Sequence, residues 1–171
     1  FMSTTNHNTV VPDASSSLPK KEQVAGMFDA IAPRYDFLNH ALSLGIDRGW
    51  RRKAIRSIAA VSPQEILDVA TGTADLAIAL KEAAPEAEII GLDATEAMLE
   101  RGRRKIASRS LALELLCGDG QNLPFADASF DAVTIAYGIR NFSDREAGLR
   151  ECCRVLRPGG RLVVLEFPPP P

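Results

Sequence analysis

The chain has 171 residues, of which 46% are hydrophobic and 25% are charged. This composition excludes a wholly disordered chain, and the length suits one α/β domain with its own hydrophobic core. The chain contains 20 Lys and Arg residues and 22 Asp and Glu residues, which gives a net charge of −2. A general nucleic-acid-binding protein would carry a surplus of positive charge to neutralise phosphates, so no nucleic-acid partner is expected.

The cysteines and the hydropathy pattern both predict a cytoplasmic protein. Cys117, Cys152 and Cys153 cannot all pair, and two adjacent cysteines form a poor disulfide bridge. Reduced thiols are typical of the cytosol. No apolar run approaches the roughly 18 to 20 residues of a membrane-spanning helix, and the first residues contain no apolar secretory signal.

The chain divides by composition into three parts. Residues 1–19 are rich in Ser, Thr, Asn and Pro, which predicts a flexible tail. Residues 20–62 are predicted to form an N-terminal helical cap, with helices at about 20–32 and 48–60. The remaining residues, 63–171, are predicted to form the core.

The core alternates short apolar strands with helices. The predicted strands cover residues 65–70, 88–92, 111–116, 130–136 and 161–167. This alternation indicates βαβ units and a mostly parallel sheet with helices on both faces, a Rossmann-like α/β fold. Such sheets bind ligands beyond the carboxyl ends of their strands. A site is therefore expected just after Ala70, Asp93, Cys117 and Ala136.

Three helices are predicted between these strands. One runs from about Leu76 to Ala84, and Thr95 is a suitable N-cap for the second. Ser143 and Glu146 form the pattern of a capping box for the third. The apolar face of that third helix is predicted to comprise Leu149, Cys152, Cys153 and Leu156.

The loop after the first strand, DVATGTAD at 68–75, contains small residues that let backbone amides approach a ligand, in front of a helix N-terminus. Only Gly72 is a glycine, so the loop is not the G-x-G-x-x-G fingerprint of dinucleotide-binding folds. A tight strand-to-helix turn without a ligand is the alternative.

Acidic residues follow the second and third strands. Asp93 could accept hydrogen bonds from both ribose hydroxyls of a nucleoside, or it could simply start the next helix. Met98 could cover an adenine ring or fill the core. Asp119, beside Gly118 and Gly120, could accept the exocyclic amine of adenine, or belong to an ordinary loop.

The pattern predicts a nucleoside-binding pocket that lacks a phosphate-binding motif. Its residues are Asp68, Gly72, Asp93 and Asp119. Adenosine without a pyrophosphate is found in S-adenosylmethionine. We therefore expect S-adenosyl-L-methionine as the cofactor.

Two sequence stretches carry a specific family resemblance. They are FDAIAPRYDFLN at 28–39, continuing to Trp50, and RVLRPGGRL at 154–162, continuing to Phe167. LPF at 123–125 and YGIRN at 137–141 lie between them. Over about residues 20–167 the chain resembles the class I S-adenosylmethionine-dependent methyltransferases, and within them the UbiE/MenG family of menaquinone and ubiquinone biosynthesis.

The resemblance implies C-methylation of a demethylated polyprenyl quinol, most simply demethylmenaquinol to menaquinol or its ubiquinone-pathway equivalent. The alternatives are another small or lipid-like acceptor, and a cofactor-binding protein without activity. No metal ion is implied, because a sulfonium methyl group is already activated. The implied cofactor contacts are Thr73, Asp93, Asp119, Gly120 and Ala136.

Candidate catalytic residues follow the fourth strand and lie in the N-terminal cap. Arg140 is expected to stabilise phenolate charge, and Asn141 to orient an oxygen, with a surface arginine and a turn asparagine as the alternative. Tyr35 could hydrogen-bond the ring or have only a structural role. Asp36 or Asp47 could take protons through water.

The sequence departs from the family pattern at several positions. Asp47 stands where histidine is common, Ala74 replaces a glycine of the cofactor loop, and Pro168 replaces a usual serine. The family also continues beyond a fifth strand. We therefore expect a sheet truncated after that strand, which binds the cofactor but does not methylate efficiently.

Five basic residues cluster in the second predicted helix: Arg48, Arg51, Arg52, Lys53 and Arg56. The simpler interpretation is the solvated face of an amphipathic helix. The alternative is peripheral docking on anionic lipid at the inner face of the membrane, where a polyprenyl substrate would reside. The sequence is also compatible with a homo-oligomer.

Overall fold

The computed structural model describes Pro19, Glu22, Gln23 and residues 46–166. Its helices are α1 (Ile46–Ala59), α2 (Asp75–Ala83), α3 (Glu96–Ser108) and α4 (Arg145–Val155), with a 3-10 turn at Ile139–Asn141. Its strands are β1 (Glu65–Val69), β2 (Glu88–Asp93), β3 (Glu114–Cys117), β4 (Phe130–Ala136) and β5 (Leu156–Leu165). The predicted alternation of strands and helices is confirmed.

The five strands form one parallel sheet in the order β3-β2-β1-β4-β5. From β1 the chain moves outward through β2 to β3, and it then returns to the other side of β1 to form β4 and β5. The strand order therefore reverses between β1 and β4. In open α/β sheets, a ligand crevice forms at such a reversal.

Side chains alternate between two core layers along each central strand. Ile66 of β1 and Ala132 of β4 pack in the layer formed with α1, α2 and α3. Leu67 and Val133 pack on the opposite face, in the layer that includes Cys152 of α4. Helices thus cover both faces, as the apolar strands require.

Two predictions about α4 are wrong. Its N-cap is Asp144, whose side chain accepts a hydrogen bond from the backbone N–H of Ala147. Ser143 instead donates its hydroxyl to Gln121 Oε1 at 2.9 Å, so it is not the cap. Cys153 is exposed, whereas the buried face consists of Gly148, Cys152 and Val155.

Three other local predictions need adjustment. Strand β5 begins at Leu156, five residues earlier than predicted, because Leu156 already pairs with Phe130, ahead of a register shift that precedes the pairing of Arg161 with Ala132. Thr95 occupies the N-cap position of α3, but its side chain makes no capping hydrogen bond. Strand β3 begins at Glu114, three residues later than predicted. The backbone N–H of Leu111 still donates to Ile106 O, which closes the end of α3 and postpones the strand.

Several other predictions lie largely or wholly outside the described residues. They are the 1–19 tail, the 20–32 helix apart from Glu22 and Gln23, which are helical, and everything after Glu166. Within the part of the chain that is described, no helix combines the length and hydropathy needed to cross a membrane.

Candidate functional site

A cleft opens at the carboxyl edge of the sheet, where the strand order reverses. Its volume is about 760 Å³, including the solvent space at its mouth. The loops that follow β1, β2, β3 and β4 all contribute to its lining: Ala70, Gly72, Leu92, Asp93, Ala94, Thr95, Met98, Gly118, Asp119, Gly120, Gln121, Ala136, Tyr137, Gly138, Asn141 and Phe142.

The loop after β1 adopts a strained backbone. Ala70, Gly72 and Ala74 have φ angles of 55°, 57° and 66°, in the left-handed region. Tyr137, after β4, has a φ of 57°. L-residues other than glycine rarely adopt this conformation, and such strain concentrates at functional sites.

The loops after β1 and β4 approach closely at the reversal of strand order. A Cβ atom placed on Gly138 would lie 2.4 Å from the Cβ of Ala70. Only glycine therefore fits at position 138 with this loop packing. The close contact forms one wall of the cleft.

Asp93 is the last residue of β2 and lines the cleft. Its Oδ2 accepts a hydrogen bond from the backbone N–H of Gly72 at 2.8 Å, and its Oδ1 accepts one from the N–H of Thr95 at 2.9 Å. Burial raises the pKa of Asp93 above its ordinary value, although the backbone hydrogen bonds oppose this. The carboxylate thus bonds to the backbone at the start of α3 and also lines the cleft, while its bonding to ribose hydroxyls stays a prediction.

Asp68 does not line the cleft but lies in β1 beneath it. It is 2% exposed, and it accepts hydrogen bonds from the hydroxyls of Thr134 (2.5 Å) and Thr71 (2.7 Å). Burial raises its pKa to about 6. The structure thus places Asp68 as a support of the loop, one layer below the surface that a ligand would touch.

Thr73 is also buried behind the cleft and is 2% exposed. Its Oγ1 accepts a hydrogen bond from Lys105 Nζ at 2.8 Å, and the same ammonium pairs with Asp75. Lys105 therefore fastens the loop after β1 to α3. Met98 of α3 is buried as well, but it faces the cleft beside Gly72.

Asp119 and Gly120 lie in the loop after β3. Asp119 Oδ1 accepts a hydrogen bond from the N–H of Gln121 at 3.0 Å, and the loop closes in a bridge between Asp119 and Asn122. A Cβ on Gly120 would lie 2.6 Å from Phe142 Cζ. The absence of a side chain therefore lets the Phe142 ring pack on this loop.

The last residue of β4 and the residues that follow it divide into two groups. Ala136 and Asn141 line the cleft. The side chain of Arg140 is 50% exposed and lies 3.5 Å from Glu166 Oε1, outside the lining. The structure thus separates Arg140 from Asn141, although they are adjacent in sequence.

The remaining candidates cannot be placed. Tyr35 and Asp36 lie outside the described residues, and for Asp47 only the backbone in α1 is described. Their roles stay predictions.

Sequence reasoning did not assign a ligand role to several lining residues, among them Leu92, Gln121, Tyr137 and Phe142. Leu92 and Tyr137 lie next to Asp93 and Ala136, two of the strand ends after which a site was predicted. Their position at a strand end could therefore have identified them. Gln121 and Phe142 reach the cleft through tertiary packing, for which the sequence offers no local pattern.

The cleft combines apolar and acidic groups. Leu92, Met98 and Phe142 supply apolar surface, while Asp93 and Asp119 supply carboxylate acceptors. Such a cleft can sandwich a flat ring and accept hydrogen bonds from hydroxyl or amino groups.

Comparison with known proteins gives a consistent result. The sequence model described as the ubiE/COQ5 methyltransferase family matches residues 17–170. The chain is similar to a demethylmenaquinone methyltransferase of Deinococcus radiodurans, with 55% identity over 93% of this chain and 66% of that protein. It is also 50% identical to the ubiquinone/menaquinone biosynthesis C-methyltransferase UbiE of Geotalea daltonii, over 88% of this chain and 66% of that protein.

A solved structure supports the fold. A SAM-dependent methyltransferase from Aquifex aeolicus superimposes with a TM-score of 0.52 and 24% identity, over 56% of this chain and 52% of that chain. The chain spans about 66% of the length of the two curated relatives.

Proposed function

Because the chain belongs to the ubiE/COQ5 methyltransferase family, we propose that it serves the transfer of a methyl group from S-adenosyl-L-methionine to a ring carbon of a demethylated polyprenyl quinol. The observation that carries the proposal is the cleft at which four strand ends converge, in a chain with this family match. Demethylmenaquinol is the favoured substrate, because it is the reduced form of the demethylmenaquinone for which the Deinococcus relative is named.

The cleft fits the nucleoside part of the cofactor. Asp93, with its two backbone donors in place, retains lone pairs that can accept ribose hydroxyls. Met98 and Leu92 offer apolar surface for the adenine ring, and Asp119 offers an acceptor for its amine. Gly72, at positive φ, exposes the backbone where the remaining methionyl group would approach.

The bound cofactor supplies an activated methyl group. The residues of the chain therefore need only position the quinol ring, polarise its oxygen and exclude water from the cleft. Holding the ring carbon in line with the methyl group lowers the barrier by several kcal/mol in favourable cases. Asn141, at the cleft wall, can orient a quinol oxygen. Arg140 can stabilise the phenolate by turning from Glu166, which lies 3.5 Å away.

The first experiment measures cofactor binding and methyl transfer in the wild type and in the Asp93→Asn variant. We expect wild-type protein to bind S-adenosyl-L-methionine in a calorimetric titration and Asp93→Asn to bind at least about tenfold more weakly, because a buried acceptor is lost. The control is Asp127→Asn, which makes the same charge change on an 80% exposed side chain.

The second measurement is methyl transfer to reduced demethylated naphthoquinone, with unrelated phenols as competing acceptors. Transfer to another phenol in preference to the naphthoquinol would favour another acceptor. No binding by the wild type would contradict the proposal itself.

We also propose that α1 brings the protein to the surface of an anionic membrane, on its cytoplasmic side. Arg48, Arg52 and Arg56 follow one another at four-residue spacing and are exposed, with Lys53 beside them. Within the described chain none of these four forms an ion pair, although like charges four residues apart destabilise a helix. An anionic surface would offset that repulsion.

The position of α1 supports the same idea. Its last turn lies at the amino edge of the sheet, since Arg161 at the start of the paired part of β5 donates to Ser57 O. Arg51, in the first half of α1, attracts Asp68 near the carboxyl end of β1, so the start of the helix with Arg48 lies toward the edge where the cleft opens. A polyprenyl substrate held in the membrane would reach the cleft from this side. The free thiols of all three cysteines agree with a cytoplasmic location.

Vesicle co-sedimentation tests the membrane contact. We expect binding to vesicles that contain phosphatidylglycerol, weak binding to pure phosphatidylcholine, and a clear loss for Arg52→Gln/Arg56→Gln. The matched control is Arg145→Gln/Arg150→Gln, which removes two exposed charges from α4. Equal loss in both variants, or binding that ignores lipid charge, would contradict this surface.

A further inference from the structure

Asp68 is a buried titratable group that the proposed reaction does not use directly. In β1 it lies between Gly91 of β2 and Thr134 of β4 in the strand register. A Cβ on Gly91 would lie 2.9 Å from Thr71 Oγ1, so the glycine leaves room for the Thr71 side chain to fold back onto Asp68. The carboxylate is therefore fixed directly beneath the loop that lines the cleft.

Neutral hydroxyls supply the hydrogen bonds to this carboxylate. Thr134 donates to Oδ1 and Thr71 donates to Oδ2, and no Lys or Arg of the described residues forms an ion pair with it. Among the described residues, two charged groups act on Asp68 from neighbouring elements: Asp93 at the end of β2 repels it, and Arg51 of α1 attracts it less strongly than Asp93 repels it. The negative charge is thus hydrogen-bonded but poorly neutralised.

Two such carboxylates lie at the ends of adjacent strands. Asp93 lines the cleft and has a raised pKa because of burial, and Asp68 lies 2% exposed below it. Burying a charge without a counter-ion is unfavourable, and a bound cation reduces that cost. The cleft therefore has a negative potential that suits a positively charged ligand.

We propose that Asp68 is a specificity-determining residue that raises the affinity of the cleft for the cationic sulfonium cofactor relative to its neutral thioether product. This inference rests on the proposed function. During transfer the S–CH₃ bond breaks and its electron pair stays on sulfur, while the ring carbon provides the pair for the new C–CH₃ bond and then loses its proton. The sulfur loses its positive charge, so the attraction to Asp68 disappears and release of the product becomes easier.

The test compares the affinities of S-adenosyl-L-methionine and S-adenosyl-L-homocysteine by calorimetry between pH 5 and 7. In the wild type, the ratio of sulfonium to thioether affinity should fall as the pH drops below about 6, because Asp68 then becomes protonated. In Asp68→Asn the ratio should be about three- to tenfold lower at pH 7, and it should depend less on pH. The control Asp127→Asn, with its exposed carboxylate, should keep the wild-type ratio.

Thr134→Val provides a second variant of nearly the same shape. It removes one hydrogen bond to the carboxylate, so the pH at which the affinity ratio falls should move upward. If Asp68→Asn does not fold, this upward shift still supports the proposal and its absence overturns it.

The two hypotheses fail in different ways. If both ligands bind and the ratio is the same in the wild type, Asp68→Asn and Thr134→Val at every pH, only the specificity role is overturned. If the wild type binds neither ligand, the proposed function fails and this inference falls with it.

Discussion

Neighbouring carboxylates at the edge of this sheet differ because of the groups that donate to them. Asp93 accepts two backbone N–H groups of loops that line the cleft, so it organises the backbone around a ligand. Asp68 accepts two hydroxyls inside the core and lies below the lining. The same residue type, twenty-five positions apart, is thus a contact candidate in one case and a support in the other.

The burial of Asp68 predicts a characteristic pH dependence of stability. Its pKa is about 6 in the folded protein against an ordinary value of 3.8, so folding favours the protonated form. Below about pH 4 the carboxyl is neutral in both states and carries no penalty. Between about pH 4 and 6 the unfolded state ionises first and the fold loses stability, up to about 3 kcal/mol, and above pH 6 the penalty is constant.

Asp68→Asn removes this penalty. The free energy of unfolding of Asp68→Asn minus that of the wild type should therefore rise from pH 4 to pH 6 and then level off. Urea denaturation at several pH values between 4 and 8 measures the difference. A difference that stays flat or falls over this range would show that the buried carboxylate carries no such cost.

Arg140 is expected to act on the substrate and not on the cofactor. Its side chain is half exposed and lies outside the lining of the cleft, next to Glu166. Arg140→Ala should lower the rate of methyl transfer by about a hundredfold, as loss of an oxyanion-stabilising donor does, and should leave cofactor affinity within a few-fold. Steady-state kinetics combined with calorimetry separates the two effects.

The matched control for Arg140 is Arg150→Ala. Arg150 is 63% exposed and pairs with Glu146 on the surface of α4, so both measurements should stay near wild type. Unchanged turnover in Arg140→Ala, or an equal fall in both variants, would remove Arg140 from the mechanism.

Helix ends show where sequence patterns stop being informative. Ser143 and Glu146 match a capping box, yet Asp144 is the N-cap of α4. The reason is tertiary: Gln121 Oε1, 22 residues earlier in the chain, accepts hydrogen bonds from the Ser143 hydroxyl and the N–H of Asp144. A local pattern cannot anticipate a partner from another loop.

Strands were more predictable than caps. Apolar runs predicted β4 at its observed bounds and β1 and β2 within one residue, because buried parallel strands need apolar side chains on both faces. The convergence of the loops after Asp93 and Ala136 follows from parallel topology alone. The depth of Asp68 does not, since it depends on Thr71 folding back and on Thr134 of β4.

The packing of α3 on the cofactor loop predicts opposite effects of the same substitution at two helical glycines. A Cβ on Gly102 would lie 2.8 Å from Leu115 Cδ1 and 3.3 Å from the backbone carbon of Thr73. Gly102→Ala should therefore destabilise the protein by about 1 to 3 kcal/mol and weaken cofactor binding by displacing the loop.

Gly49 in α1 is the counterpart. Apart from the adjacent residues and the backbone of α1 itself, no atom of the described residues lies within 4 Å of a Cβ placed there. Gly49→Ala should therefore stabilise the protein by about 0.5 to 1 kcal/mol through helix propensity. Chemical denaturation measures both values, and calorimetry measures binding. Stabilisation by both substitutions would mean that α3 does not pack tightly against the loop after β1.

At the scale of the whole molecule, charge and topology are arranged about the same edge of the sheet. The net charge is only −2, but four exposed cations are grouped on α1 while Asp68 and Asp93 concentrate negative charge near the cleft. Segregation of this kind favours an anionic surface at the helix and a cationic ligand in the cleft. A single orientation of the molecule on a membrane would allow the contact through α1 and the access of substrate to the cleft.

Because four strand ends form one cleft, a single small ligand should order segments that are far apart in sequence. S-adenosyl-L-methionine should slow amide hydrogen exchange in residues 70–74, 93–98, 118–121 and 137–142 together, since binding to the native state suppresses their local opening. The amino edge of the sheet, around Gln64, Ala87 and Ser129, provides the internal control and should change little. Hydrogen exchange followed by mass spectrometry, with and without the ligand, measures both edges in one experiment. Protection confined to one of the four segments, or centred on the amino edge, would mean that the cofactor binds elsewhere.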